Sequence, residues 1–255
     1  MAYLRLRQVC LVAPTLEPVV SDISAIFGLK VCHRDPNVGR YGLENALFPV
    51  GDSFIEIVAP TREGTAAGRF LERHRGHGGY MLILDCDDAE RRGRHAEQMG
   101  IRVAHLIRHE DYLGVQLHPS DTGATMIEFN QTHGGESLNG PYHPAGSNWQ
   151  AAVTSDATLR LAAVDIEAPD PDAFSARWAA LMERPATPAE GRYCIALDGG
   201  DIRFSRAAAA ELQPVFARLE LRVRSSAAVL AAAAARGYPV HDSAIALCGV
   251  EIAVS

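Results

Sequence analysis

Two short apolar segments each carry one isolated carboxylate. Glu56 lies within Phe54-Ile55-Glu56-Ile57-Val58-Ala59-Pro60, and Glu128 within Thr125-Met126-Ile127-Glu128-Phe129-Asn130. An acid inside an apolar strand is costly to bury unless something pairs with it or uses it. Strand alternation puts Glu56 on the face opposite Ile55 and Ile57, and Glu128 on the face of Met126 and Asn130. In the hairpin register suggested by a turn over residues 120–123, Gln116 and His118 share the Glu128 face. A carboxylate in a partly apolar cavity gains basicity, which suits it to accept a proton near neutral pH. The chemistry expected is therefore proton transfer, with Glu56 and Glu128 facing one shared cavity. The competing reading makes each glutamate a solvated or ion-paired residue on an open sheet.

The two carboxylates end successive units of similar layout. In the first, residues 4–13 read as a strand by their apolar and β-branched content, and Thr15 as the cap of a helix. That helix carries Val19, Val20, Ile23, Ile26 and Phe27 at helical spacing and stops at Gly28. Leu29-Lys30-Val31-Cys32-His33 reads as a further strand, before a hairpin over 43–50 and 53–58. The second unit repeats the order with a strand over 80–86, Asp87 or Asp88 as cap, a helix over 89–99 stopped by Gly100, and strands over 113–118 and 125–130. Between the units, residues 61–79 are glycine-rich around one short helix, Ala66 to His74, placed to cover the mouth of a cavity. Residues 131–157 hold Gly134, Gly135, Gly140, Pro141, Pro144 and Gly146 and read as a linker with Trp149 as an anchor. Two weaker copies of the pattern follow. The domain reading is 1–130, a linker over 131–157, and 158–255.

The 255 residues fit one large domain or two of about half that length. A net charge of −7 argues against general affinity for nucleic acid or an anionic membrane surface, since both need a basic face. No apolar run approaches the length of a membrane span, and the first residues lack the pattern of a signal peptide. Five scattered cysteines without a CxxC pair read as reduced structural thiols. The expected setting is cytoplasmic.

The order and spacing of Gln8-Val9-Cys10-Leu11-Val12-Ala13-Pro14, Phe27-Gly28-Leu29-Lys30-Val31, Ile55-Glu56-Ile57-Val58-Ala59-Pro60, and Leu117-His118-Pro119-Ser120-Asp121-Thr122-Gly123 leading to Ile127-Glu128 resemble the vicinal oxygen chelate superfamily. This is the group of glyoxalases, bleomycin-resistance proteins, extradiol dioxygenases and methylmalonyl-CoA epimerase. The resemblance covers residues 4–130 well and 159–255 weakly. It implies an α+β fold of four tandem βαβββ modules, paired one with two and three with four, forming two half-open barrels. It also implies a divalent metal that chelates substrate oxygens, held by one residue from the first strand and one from the last strand of each module.

Carried over to this chain, those slots are Gln8 and Glu56, then Met81, where histidine is usual, and Glu128. The later modules offer Ala163, Arg203, Arg218 and Glu251, which cannot build a cation site, so the functional cavity is expected in the N-terminal half. Gln8, Glu56 and Glu128 could hold a hard cation with water completing its shell. Magnesium, manganese, nickel and zinc are the ions to try, and whether any is bound stays open. No nucleotide cofactor is expected. Arg40, Tyr41, His118 and Met81 are the expected substrate-binding residues, and the resemblance implies a homodimer. The activity implied is a lyase or isomerase type of proton transfer next to a carbonyl of a small molecule. The alternative is a drug-binding protein of the bleomycin-resistance type that does no chemistry. An extradiol dioxygenase fits less well, because neither histidine slot is filled.

Overall fold

The computed structural model describes residues 2–208 and 213–255. The first repeat comprises β1 (Leu4–Val12), α1 (Leu16–Phe27), β2 (Leu43–Val50) and β3 (Ser53–Pro60). After the insert helix α2 (Ala66–Arg73), the second comprises β4 (Gly79–Cys86), α3 (Ala89–Gln98), β5 (Val103–Arg108), β6 (Tyr112–Leu117), the one-turn α4 (Pro119–Thr122) and β7 (Met126–Thr132). The third holds β8 (Thr158–Ala168), α5 (Pro171–Met182), β9 (Ala186–Ala189), β10 (Arg192–Ala196) and β11 (Asp201–Arg206). The fourth holds β12 (Val215–Val223), α6 (Ser226–Ala235), β13 (Val240–His241), β14 (Ala244–Leu247) and β15 (Val250–Val254). The fold is mixed α+β with βαβββ-like repeats on two open sheets, one of seven strands (β1–β7) and one of eight (β8–β15).

Two compact units draw on segments far apart in sequence. One comprises Met1–Arg7, Met81–Pro141 and Ala163–Ala217 and holds Glu128; the other comprises Gln8–Tyr80, Tyr142–Ala162 and Arg218–Ser255 and holds Glu56. Within the Glu56 unit, β3 runs parallel to β1 and antiparallel to β2, with Gln8 opposite Phe54 and Leu47 opposite Glu56. Helix α1 buries Leu16, Val20, Ile23, Ile26 and Phe27 and packs on β2, β3 and α6. Each such side chain taken from water contributes roughly 1.5–3 kcal/mol. Gly28 ends α1 at φ 67°, a left-handed conformation that glycine adopts without a Cβ penalty. Thr15 stands at the start of α1, but its side chain makes no capping bond.

The expected strand at Leu29–His33 is not formed. That segment keeps a single bridge, His33 to Leu47, before Pro36 opens a 3-10 turn over Pro36–Tyr41. Proline cannot donate to a ladder, and its ring biases Asp35 before it, so the chain turns there. Part of the connection after β7 is packed. Leu47, Phe54, Tyr142, Ala145 and Trp149 form a buried cluster, with Tyr142 stacked on Phe54 at 4.8 Å and Trp149 edge-on to it at 5.1 Å.

Within the Glu128 unit, β4 runs parallel to β7, and β7, β6 and β5 follow antiparallel. Strand β5, short and mostly exposed, has no apolar run to mark it in the sequence. Helix α3 is polar and buries only Ala89, Arg92, Gly93 and Ala96. Gly93 lets it lie close on β6, since a Cβ there would come within 2.9 Å of the Val115 methyl. Asp88 caps α3 by accepting the Arg91 N–H, as Asp170 caps α5 by accepting that of Ala173. No helix among the described residues is long and apolar enough to cross a membrane.

Candidate functional site

Each of the two strand carboxylates sits in its own hydrogen-bonded cluster. In the Glu128 unit, α3 covers the face that carries Val115 and Phe129, with the Arg92 guanidinium 5.7 Å from the Phe129 ring. Alternation then turns the next pair, Gln116 and Glu128, to the other face. There the Tyr112 hydroxyl donates to Glu128 Oε1 at 2.6 Å and Gln116 Nε2 donates to Oε2 at 2.8 Å. Asn130 Nδ2 lies at 3.5 Å from Oε1. Gly114 makes room for this: a Cβ would sit 3.0 Å from the Tyr112 hydroxyl and 3.2 Å from Glu128 Oε1. Glu128 is 3% exposed. Burial raises its pKa above the ordinary 4.5, and the bonds from Tyr112, Gln116 and Asn130 and the charge of His105 only partly oppose this. His105 reaches the site because β5 pairs it with Gln116, the partner of Glu128 on β7.

In the Glu56 unit, Gln8 Nε2 donates to Glu56 Oε2 at 2.8 Å and Asn45 Nδ2 donates to Oε1 at 2.7 Å. The Tyr142 hydroxyl donates to Gln8 Oε1 at 3.0 Å, and the Asp35 backbone N–H donates to Asn45 Oδ1 at 2.8 Å. The Tyr80 phenol is pushed up to about 12 by burial, then by the neighbouring Cys10 thiol and Glu56 carboxylate. Phe70 of α2 packs edge-on to Tyr80 at 5.0 Å, so the insert helix lies beside this cluster.

Met81 is buried and stands opposite Met126 in the β4–β7 register, an apolar wall residue on the Glu128 face. His118 leaves that face. Pro119 starts α4, and His118 Nδ1 accepts the Ser120 N–H at 3.2 Å and meets Arg102, which is paired with Asp121 at 2.8 Å. Arg40 and Tyr41 are exposed in the 3-10 turn, the guanidinium stacked 4.8 Å from the Tyr41 ring. In the fourth repeat, Arg218 and Glu251 face each other across β12 and β15 and form an ion pair at 2.5 Å. Asn45, Tyr112 and Tyr142 escaped the sequence reading. Alternation from Gln116 could have placed Tyr112, but nothing local marked Tyr142.

The residues do not fit a divalent metal as they stand. Both oxygens of Glu56, both of Glu128 and the amide oxygen of Gln8 already accept a proton donor. Among the described residues, no group of three or more His, Cys, Asp or Glu is arranged to hold a metal ion. A cation would have to share these oxygens with N–H and O–H groups that point their protons at them, or displace those groups.

A model of the glyoxalase-like domain matches residues 9–182. The chain belongs to the glyoxalase-like family of the vicinal oxygen chelate superfamily. No curated protein matches the sequence. Among solved structures, a hypothetical protein from Staphylococcus aureus matches this glyoxalase-like chain over 99% of both chains, with a TM-score of 0.68 and 12% identity. That likeness shows the shared fold. Methylmalonyl-CoA epimerase from Streptomyces coelicolor, in complex with 2-nitronate-propionyl-CoA, matches 51% of this chain and 98% of its own, with a TM-score of 0.46 and 22% identity. The epimerase from Mycobacterium tuberculosis matches 50% of this chain and 87% of its own, with a TM-score of 0.45 and 23% identity.

Proposed function

We propose that this glyoxalase-like protein is an enzyme of the lyase or isomerase type that moves a proton next to the carbonyl of a small molecule, with Glu128 as the acid–base group. The observation that carries the reading is the state of Glu128. It is 3% exposed, its pKa is raised by burial, and a phenol O–H stands 2.6 Å away. A carboxyl group displaced upward toward neutrality can both take and return a proton at working pH. Gln116 and Tyr112 hold its two oxygens in place, which fixes the direction of approach. No step of this reading is routed through the divalent metal of the superfamily.

The test is solvent deuterium uptake into 2-oxo acids and acyl thioesters, with chelator and with added magnesium, manganese, nickel or zinc. Exchange that survives chelator and is lost in Glu128→Gln supports the reading. Exchange that requires a metal, or persists in Glu128→Gln, refutes it. A second reading, a small-molecule-binding protein without chemistry, draws on the same hydrogen bonds, because a carboxylate so well supplied with donors can be buried without a reaction to perform. Absence of exchange together with tight binding of an aromatic or drug-like ligand would favour it.

A further inference from the structure

The Glu56 cluster supports an inference that stands whether or not Glu128 moves a proton. We infer that Glu56 is caged by amides in place of a metal, with Asn45 as the positioning residue held donor-first by the Asp35 N–H and Tyr142 as the positioning residue that supports the Gln8 amide through its oxygen. The Asp35 backbone N–H can only donate, and it lies 2.8 Å from Asn45 Oδ1. That fixes the Asn45 amide and sends its Nδ2 to Glu56 Oε1 at 2.7 Å. Turning this amide over to offer oxygen to a cation would set its NH2 against the Asp35 N–H. Two donors would then face each other without an acceptor.

The other side is held differently. The Gln8 amide has its nitrogen on Glu56 Oε2, so its oxygen is the atom that meets Tyr142, whose hydroxyl donates to it at 3.0 Å. Tyr142 is itself clamped, stacked within 13° of the Phe54 ring plane and 2% exposed. Gln8 and Glu56 are the two residues that fill the first-strand and last-strand slots of this repeat. The two groups that orient their surroundings come from outside those slots, one from β2 and one from the connection after β7. Charge-assisted N–H bonds to a carboxylate are among the stronger hydrogen bonds in proteins, and here both oxygens receive one. The same carboxylate that would bind a cation is satisfied by neutral groups.

The experiment titrates the full chain with manganese and zinc, following bound metal by calorimetry and by the manganese EPR signal. Wild type and Glu56→Gln should bind indistinguishably weakly. Asn45→Asp, which exchanges an N–H donor for an acceptor at the same place, should bind at least about tenfold tighter, and the gain should vanish when Glu56→Gln is added. A one-equivalent site in the wild type that Glu56→Gln removes would overturn the inference, as would a folded Asn45→Asp with no gain. If Asn45→Asp does not fold, the comparison of wild type with Glu56→Gln decides either way. For Tyr142, the readout is the Gln8 side-chain NH2 resonance. Tyr142→Phe keeps the ring on Phe54 but removes the O–H, so that resonance should move. An unmoved resonance would refute its positioning role.

Discussion

Replacing Glu128 with glutamine separates the cost of the buried acid from every other effect of the site. An unfolded chain releases the Glu128 proton near 4.5, whereas the folded protein holds it to higher pH because burial outweighs the bonds from Tyr112 and Gln116. Between those two pKa values the folded state carries one proton more than the unfolded state. Stability contributed by this group is therefore fully present below 4.5 and is lost as pH rises through the native pKa. The slope is about 1.4 kcal/mol per pH unit for a single proton. Glutamine has nothing to ionise. The stability of Glu128→Gln minus that of wild type should thus grow with pH at about 1.4 kcal/mol per unit and level off at the native pKa. Any constant loss from a weaker bond to Tyr112 shifts the whole curve and leaves its slope. Urea unfolding of both proteins between about pH 4.5 and 8.5 measures it. A gap that is flat, or that shrinks as pH rises, would mean that the hydrogen bonds outweigh burial, and Glu128 would then be a settled anion unsuited to the proposed role.

Two further outcomes follow from the same unit. Asp85 is 2% exposed, and burial raises its pKa to about 6 from 3.8 although Arg7 and Arg5 pull it down, Arg5 through an ion pair at 3.2 Å. Wild type should lose about 3 kcal/mol relative to Asp85→Asn as pH rises across that window, and a gap moving the other way in urea titrations would show that the arginines win. Gly114→Ala places a methyl beside the Tyr112 hydroxyl and Glu128 Oε1, so a loss of about 1–3 kcal/mol is expected from overpacking. Unchanged stability in chemical denaturation would show that the Tyr112–Glu128 contact is looser than 2.6 Å.

Much of this molecule is written locally. The helix stop at Gly28, the caps at Asp88 and Asp170, and the placing of Glu56 and Glu128 in strands all depend on residues within one or two turns of chain, and pattern reading recovers them. The same logic fails where local signals compete. Leu29–His33 has strand composition, but Pro36 ends the ladder after one bridge. His118 matches the alternation of β6, but Pro119 turns it to Arg102 and Asp121.

The decisive features of the site are non-local. Tyr142 reaches Gln8 across 134 positions of sequence, and Asn45 reaches Glu56 from the neighbouring strand. The residue types in the slots, a glutamine, a methionine and two glutamates, are legible along the chain. What those carboxylates face depends on the folded molecule. A carboxylate accepts a cation or an N–H equally well, and the choice lies with partners that the chain brings in from elsewhere.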